Sequence, residues 1–511
     1  MAKSEPAHKF TSEAVRNHDG APTGAPTGEL NPMARQIAAQ YRRDTMSPVM
    51  VSGILRLVEF ALLALSGLVL YALYVGVDTS MMLHYPVLIL LASAAAVLFL
   101  EVTDSYQIAR LRRPLASLGT VVLVWGGALA LMMVAGFFLK ISEEFSRFWA
   151  GAWFATGLGL IVVLRLVMSR MIRRWARNGA MERRAVIVGG GKAAEALIRS
   201  IEQEPYNDIR ICGIFDDRDN RRSPPIVAGY PKLGNVDELI EFARIARIDM
   251  LIVSLPLTAE ARVLSMLKKL WVLPVDIRLS AHSNQLRFRP RAYSFIGSVP
   301  MLDIFDKPIN DWDSVAKRAF DILFSLAGIV VLSPVMLVAA LAIKLDSPGP
   351  VIFKQKRHGF NNEIIDVYKF RSMYTDQCDP TARKAVTKGD PRVTRVGRFI
   401  RKTSIDELPQ FFNALFGSLS LVGPRPHAVT AQSHHRLYHE VVDGYFARHR
   451  VKPGVTGWAQ INGWRGEVDS DDKIQMRTEY DLYYIENWSL WFDLKILFLT
   501  PASLLNTENA Y

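Results

Sequence analysis

Two adjacent carboxylates, Asp406 and Glu407, stand between a basic run and an apolar segment in the stretch Arg401-Lys-Thr-Ser-Ile-Asp-Glu-Leu-Pro-Gln-Phe-Phe-Asn-Ala-Leu-Phe-Gly417. Phe411, Phe412, Leu415, Phe416 and Leu419 recur at helical spacing, so a helix begins here, with an apolar stripe that can rest on lipid. Two starts are open. With Ser404 as N-cap, Ser404-x-x-Glu407 is a capping box; with Pro409 at the first helical position, the carboxylates lie just outside the helix. Pro409 favours the second. In either case the positive end of the helix dipole faces the acid pair and favours its ionised form, which suits a nucleophile or a Mg²⁺ ligand.

Upstream, Arg383 to Lys402 holds eight basic residues against one acid, Asp390, and Arg392, Arg395, Arg398 and Arg401 recur every third position. On a helix these form one ridge, matched to a phosphate-rich ligand. Beside an acid pair and Gly423-Pro-Arg-Pro426, the ridge reads as a surface that neutralises a diphosphate. Arg401, Arg425 and Arg465 are candidate phosphate contacts, since one guanidinium can hold two oxygens.

Ser404-Ile-Asp-Glu-Leu-Pro-Gln410, followed by Asn413-Ala-Leu-x-Gly417-x-x-Ser420-Leu-Val-Gly-Pro-Arg-Pro426, resembles the signature of the bacterial sugar transferases, the polyisoprenyl-phosphate hexose-1-phosphate transferases. The resemblance extends over about residues 310–511 through Lys317-Arg318-x-x-Asp321, Phe353-Lys-Gln-x-Arg357-x-Gly359, Lys369-Phe-Arg371-Ser-Met373 and Lys452-Pro-Gly-Val-Thr-Gly-Trp-Ala-Gln460-x-Asn462-Gly-x-Arg465-Gly466. It implies transfer of a hexose 1-phosphate from UDP-hexose, glucose or galactose, to undecaprenyl phosphate, with release of UMP, as the first membrane step of exopolysaccharide, capsule or O-antigen synthesis. By the same resemblance Asp406 attacks the β-phosphate to form a covalent phosphosugar intermediate, and Glu407 positions the metal or the lipid phosphate. Both would serve Mg²⁺, and Lys354, Arg357 and Arg371 would join the substrate-binding set. Mg²⁺ would offset the diphosphate charge.

The elements that position this chemistry must include lipid-embedded ones, because 511 residues with 50% hydrophobic content are too long for one domain and too apolar for an ordinary soluble protein. A net charge of +12 suits nucleic acid or an anionic membrane, but no nucleic-acid motif accompanies it. Cys212 and Cys378 match no metal-ligand spacing and fall in different domains, which excludes a disulfide framework and a zinc site. Residues 1–45, with Gly-Ala-Pro-Thr repeats, read as a disordered tail and not as a signal peptide.

Four apolar segments, roughly 50–75, 84–103, 116–139 and 148–169, predict a bundle of four transmembrane helices within 46–172. Arg42, Arg43 and Arg56, then Arg110, Arg112 and Arg113, then the arginines from Arg170 to Arg184 put both ends of the bundle in the cytoplasm. No run of ionisable groups marks a transport path, so the bundle serves as an anchor or assembly surface, one suited to a homo-oligomer.

Ala185-Val-Ile-Val-Gly-Gly-Gly-Lys-Ala-Ala194 is a strand running into a Gly-rich turn and a helix, so Gly189, Gly191 and Ala194 form a possible nucleotide-binding fingerprint. Strands at 210–215, 249–254 and 274–279 and helices at 236–246 and 258–270 complete a Rossmann-like α/β domain over 183–285, with Asp216 and Asp217 near the place of a ribose-binding acid. The resemblance gives this middle domain a regulatory role. Residues 286–315 read as a linker.

From Ile322 to Ile343 no charge interrupts 22 residues, long enough to span, but Ser333-Pro334 breaks the centre. Lys317 and Arg318 before the segment and Lys344, Lys354, Lys356 and Arg357 after it hold both ends on one side. The expectation is a re-entrant membrane helix over 316–345, followed by a monotopic α/β catalytic domain over 346–511 on the cytoplasmic face of the bacterial inner membrane. The aromatic stretch Trp488 to Phe498 suits either the interface or a core helix. Two alternatives compete with a transferase. One is a membrane-bound NAD-dependent nucleotide-sugar enzyme, against which no tyrosine is followed by a lysine four residues later. The other is a non-catalytic scaffold of a polysaccharide assembly complex.

Overall fold

A computed structural model describes residue 15 and residues 30–505, apart from 43–46, 77–83, 113–116, 139, 141–144, 180, 204–208, 219–222, 257–258, 281–292, 297–298, 378–389, 429–431, 434–435, 443 and 467–469. Cys378 and Arg383 to Lys388 therefore lie outside the described residues. The chain forms two compact units, Asp44–Glu182 and a second made of Met1–Arg43 with Arg183–Tyr511.

The first unit carries helices at Pro48–Val75, His84–Val102, Leu118–Phe138 and Arg147–Ala176, each long and apolar enough to cross a membrane. They fall at the four expected stretches. Their shared core is built on Trp125, Trp149 and Trp153, and Gly67 and Gly157 leave room for these rings, since a Cβ at either would lie within 3 Å of a neighbouring side chain. The sequence reading missed a charge pair in this core. Glu59 and Arg165 are almost wholly buried and 2.7 Å apart, and the Tyr106 hydroxyl donates to Glu59 at 2.6 Å.

In the second unit β1 (Arg183–Val188), β2 (Ile209–Phe215), β3 (Ile226–Val227), β4 (Tyr230–Gly234), β5 (Met250–Val253), β6 (Asp276–Ser280), β7 (Tyr293–Ile296) and β8 (Val299–Phe305) form one sheet. Its order is β3-β4-β2-β1-β5-β6-β8-β7, parallel from β4 to β6 and antiparallel at both margins. The Gly-rich turn follows β1, where the strand order reverses, the usual position of a ligand crevice in such sheets. The predicted linker, 286–315, is corrected here. Its described part supplies β7 and β8, and β8 escapes a period-two reading because both its faces are covered, Met301 on one side and Leu302, Ile304 and Phe305 in the other core cluster. The expected disordered tail, 1–45, is corrected over 30–42, while 1–14, 16–29 and 43–45 lie outside the described residues. Asn31 caps a helix at Pro32–Gln40 whose Ala34 and Ala38 bury in the α/β core, and Asn31 Nδ2 donates to the Leu233 carbonyl at 2.6 Å.

A helix of 36 residues, Asp311–Asp346, then leads to the C-terminal region and is the fifth one apolar enough to cross a membrane. Pro334 lies inside it without ending it. A proline has no N–H for the carbonyl four residues back. Here the Ser333 hydroxyl donates to that carbonyl, Val330, at 2.8 Å. Phe320 and Phe324 pack with Phe411, and Gly328 meets the Phe411 ring; beyond Pro334, Met336, Ala339, Ala340 and Ile343 pack with Val396, Ile400, Ile405 and Leu408. Both limbs thus pack on one short stretch around the acid pair. Lys317 fixes the first limb through Asp493 at 2.7 Å and the Val422 carbonyl at 2.8 Å.

Removing one partner of a buried ion pair leaves a charge without compensation, at a cost of about 3–5 kcal/mol. Glu59→Gln should therefore lower the thermal unfolding midpoint in nanodiscs, and adding Arg165→Met should recover most of the loss. A single variant as stable as the parent chain would contradict this.

Candidate active site

The acid pair sits on a turn of 3₁₀ helix, Ile405–Glu407, and Pro409 caps the helix Gln410–Phe416. The carboxylates thus lie just outside the helix and there is no capping box, because Ser404 adopts a left-handed conformation (φ 59°) and makes no cap bond. Its hydroxyl accepts instead from the Arg465 guanidinium. A left-handed non-glycine residue costs of order 1 kcal/mol, and such positions cluster at functional sites.

The two acids have opposite surroundings. Glu407 Oε1 accepts from Arg425 at 2.6 Å and from Lys369 at 3.1 Å, and Oε2 has a long bond of 3.4 Å to Arg425. Asp406 is buried, and among the described residues its carboxylate has no hydrogen bond or ion pair. Burial alone would raise the Glu407 carboxyl, but Arg425 and Lys369 hold it well below the usual range. Burial pushes Asp406 up to about 6, against the pull of Lys369, Arg401 and Arg425 and with the push of Glu407. The expectation that the helix dipole keeps both acids ionised is thus met by ion pairing at Glu407 and offset by desolvation at Asp406.

Arg425 follows the strand Ser420–Val422, which pairs with Gly454–Thr456. The glycines of these motifs let backbone press on backbone: a Cβ at Gly454 would stand 2.1 Å from the Gly423 nitrogen, and one at Gly457 2.2 Å from the Gly423 carbonyl. Lys369 comes from the strand Ile364–Phe370 and Arg357 from its antiparallel partner Ile352–His358. Arg357 Nη1 donates to the Pro426 carbonyl at 2.8 Å, and together with Lys369, Glu407, Gln410 and Arg425 it lines a void of about 10 Å³, enough for a water molecule.

Of the predicted site residues, Arg357, Arg401, Arg425 and Arg465 gather around Asp406 and Glu407. Two do not. Arg371 is buried and donates to the Ser347 and Pro348 carbonyls at 2.7 Å each, so it ties down the exit of the long helix. Lys354 is exposed and lies over the Tyr368 ring. The arginine ridge is divided too: Arg392 pairs with Asp390 at 2.6 Å, while Arg395 and Arg398 are exposed on the helix Arg395–Lys402. Lys369 was missed as a site residue although its motif was noted, because only the fold turns it toward Glu407.

Among the described residues no group of three or more His, Cys, Asp or Glu side chains could cage a metal. The acid pair fits only a Mg²⁺ that keeps most of its shell as water and substrate oxygens, as Mg²⁺ at phosphates commonly does. At the Gly-rich turn, Gly189 and Gly191 are left-handed, and Ala194 is buried in the helix that follows. Asp216 is not open to a ribose: it accepts from the Gly190 N–H at 2.6 Å and from the Arg218 guanidinium at 2.8 Å. Asp217 accepts from the Val236 N–H.

Residues 312–507 match the family described as bacterial sugar transferase. A UDP-glucose:undecaprenyl-phosphate glucose-1-phosphate transferase of Escherichia coli (strain K12) is 37% identical, over 80% of this chain and 86% of its own. The chain belongs to the bacterial sugar transferase family. An enzyme of the same name from Xanthomonas campestris pv. campestris is 33% identical over 90% of this chain and 94% of its own. An undecaprenyl-phosphate galactose phosphotransferase of Salmonella typhimurium is 30% identical over 72% and 77%. Residues 101–281 also match a family described as CoA-binding domain.

If the Asp406 carboxylate must be ionised to react, kcat/KM should fall below a pKa near 6, because a raised carboxyl is protonated there. The loss should reach about tenfold per pH unit below that point. Burial raises it most, Glu407 adds to the rise, and Lys369, Arg401 and Arg425 oppose it. A profile flat down to pH 4.5 would contradict this.

Proposed function

We propose that the chain transfers hexose 1-phosphate, glucose 1-phosphate foremost, from UDP-hexose to undecaprenyl phosphate with release of UMP. The observation that carries this reading is the contrast within the acid pair: a buried carboxylate that, among the described residues, makes no hydrogen bond or ion pair, beside one pinned by two cations. The relatives named for glucose favour that sugar. As a first membrane-bound step, the reaction would open exopolysaccharide, capsule or O-antigen synthesis.

An Asp406 oxygen attacks the β-phosphorus of the UDP-sugar. The bond to the bridging oxygen breaks, UMP leaves, and the sugar phosphate stays on Asp406. An oxygen of undecaprenyl phosphate then attacks the same phosphorus, frees the carboxylate and forms the lipid diphosphate sugar. Glu407 does not compete as a nucleophile, since its charge is already shared with Lys369 and Arg425. Arg401 and Arg465 hold the donor diphosphate, and Arg425 meets the charge that develops during transfer. Asp406 and Glu407 would hold a Mg²⁺ that arrives with the diphosphate, and the ion would offset charge on the leaving phosphate.

The reading places the site at the cytoplasmic face of the inner membrane, where UDP-sugars are made. It takes Asp311–Asp346 as a re-entrant helix bent at Ser333-Pro334. Two observations support this: residues on both sides of Pro334 pack around residues 396–411, and the apolar side chains near Pro334, Val330, Val331, Leu337 and Val338, are each more than 60% exposed.

Asp406→Asn should lower turnover by about a thousandfold or more and abolish trapping of radiolabelled sugar phosphate on the protein, while the chain stays folded. Near-normal turnover would remove Asp406 as the nucleophile. For topology, cysteines placed at Asn310 and Lys354 in a background without Cys212 and Cys378 should both resist an impermeant thiol reagent until the inner membrane is opened. Labelling of position 354 alone in intact cells would mean that the helix spans.

A further inference from the structure

The 3₁₀ turn Tyr445–Arg450 faces two ways. Toward the α/β domain, Val442, Tyr445, Phe446 and Ala447 bury in the same apolar cluster as Phe242, Leu267 and Phe305. Gly444 enters the turn left-handed (φ 70°), and a Cβ there would lie 2.1 Å from the Trp271 ring. Arg450 Nη2 donates to the Asp306 carbonyl at 2.8 Å, and its guanidinium lies over the Phe305 ring. The turn is therefore gripped by the α/β domain along most of its length.

Toward the acid pair the same turn presents Arg448, which is 1% exposed. Its Nη2 donates to Asp481 Oδ2 at 2.5 Å and to the backbone carbonyl of Arg425 at 2.8 Å. Its Nη1 meets the ring of His427, which burial, with Arg448 beside it, holds neutral. Arg425 in turn places its guanidinium on Glu407 at 2.6 Å. A buried guanidinium is costly to desolvate and is a poor stabiliser compared with well-packed apolar residues. What it supplies is direction: a planar fork that fixes a carboxylate and a carbonyl at once.

We propose that Arg448 is a positioning residue for transfer: by holding the Arg425 carbonyl it keeps the Arg425 guanidinium on Glu407, and the α/β domain sets this arrangement by gripping the turn that carries Arg448. The inference rests on the reading of the acid pair given above. It assigns the α/β domain a mechanical part in catalysis that requires no ligand at the Gly-rich turn. Outer groups that orient reacting ones are commonly worth about 10- to 100-fold in activity.

The test uses the full chain in nanodiscs, with UDP-glucose and undecaprenyl phosphate, and counts folded protein by its melting transition. Arg448→Lys keeps the charge but loses the fork; it should lower kcat per folded chain about 10- to 100-fold while KM for UDP-glucose moves less than about threefold, the pattern of an interaction made only during transfer. Gly444→Ala, which touches Trp271 and no substrate group, should show the same split in milder form. A kcat per folded chain equal to that of the parent in Arg448→Lys, with only the melting temperature lowered, overturns the proposal. If Arg448→Lys does not fold, Gly444→Ala decides: a kcat loss with KM held supports the proposal, and a parental kcat overturns it. Asp406→Asn is measured alongside. Turnover in that variant would overturn the reading of the acid pair itself, whatever Arg448 does.

Discussion

A carboxylate clamped between two cations is the constraint around which the C-terminal region is built. Lys369 comes from one strand, Arg425 from a loop behind another, and Glu407 from a single helical turn, so three separate pieces of chain must meet within about 3 Å. Its neighbour Asp406 is buried beside this clamp and, among the described residues, makes no hydrogen bond or ion pair. Burying a carboxylate is costly, and acids with a raised pKa cluster where reactivity needs them.

Much of the surrounding structure serves to hold those three pieces. The glycines of the Gly423-Pro-Arg-Pro426 and Lys452-Pro-Gly-Val-Thr-Gly457 motifs are spacers between backbones. Arg318 closes the C-terminal end of the helix behind the acids by donating to the Ala414 and Leu415 carbonyls, both at 2.7 Å. Asp321 accepts from Ser420 and from the Leu421 N–H, which ties the long helix to the strand that leads to Arg425. Basic residues that look like ligand contacts in a motif are here divided between ligand-facing and carbonyl-capping roles. Arg371, like Arg318, belongs to the second kind.

This division marks the limit of what was legible in the sequence. Local signals sufficed for the four apolar helices, the strand–turn–helix at Gly189 and the placement of the acids outside their helix, because hydrophobic period, glycine spacing and Pro409 each act over a few residues. Arg371 and Arg425 carry the same group in equally basic motifs, and only long-range packing separates them. The same holds for β8, where burial on two faces erased the alternation that would reveal a strand. Arg448, His449 and Arg450 are three consecutive basic residues, a pattern that carries no local sign of burial. All three are buried, because two layers close over the turn from opposite sides.

The pairing of Glu59 with Arg165 bears on how the first unit is made. The two residues are 106 positions apart, on the first and the fourth apolar helix. At a synthesis rate of about 5–20 residues per second, the first helix carries its acid for roughly 5–20 s before the partner exists. During that interval the acid must be hydrated or sheltered, since a lone charge in lipid is expensive. The first helix thus completes its buried charge pair only once the fourth has arrived.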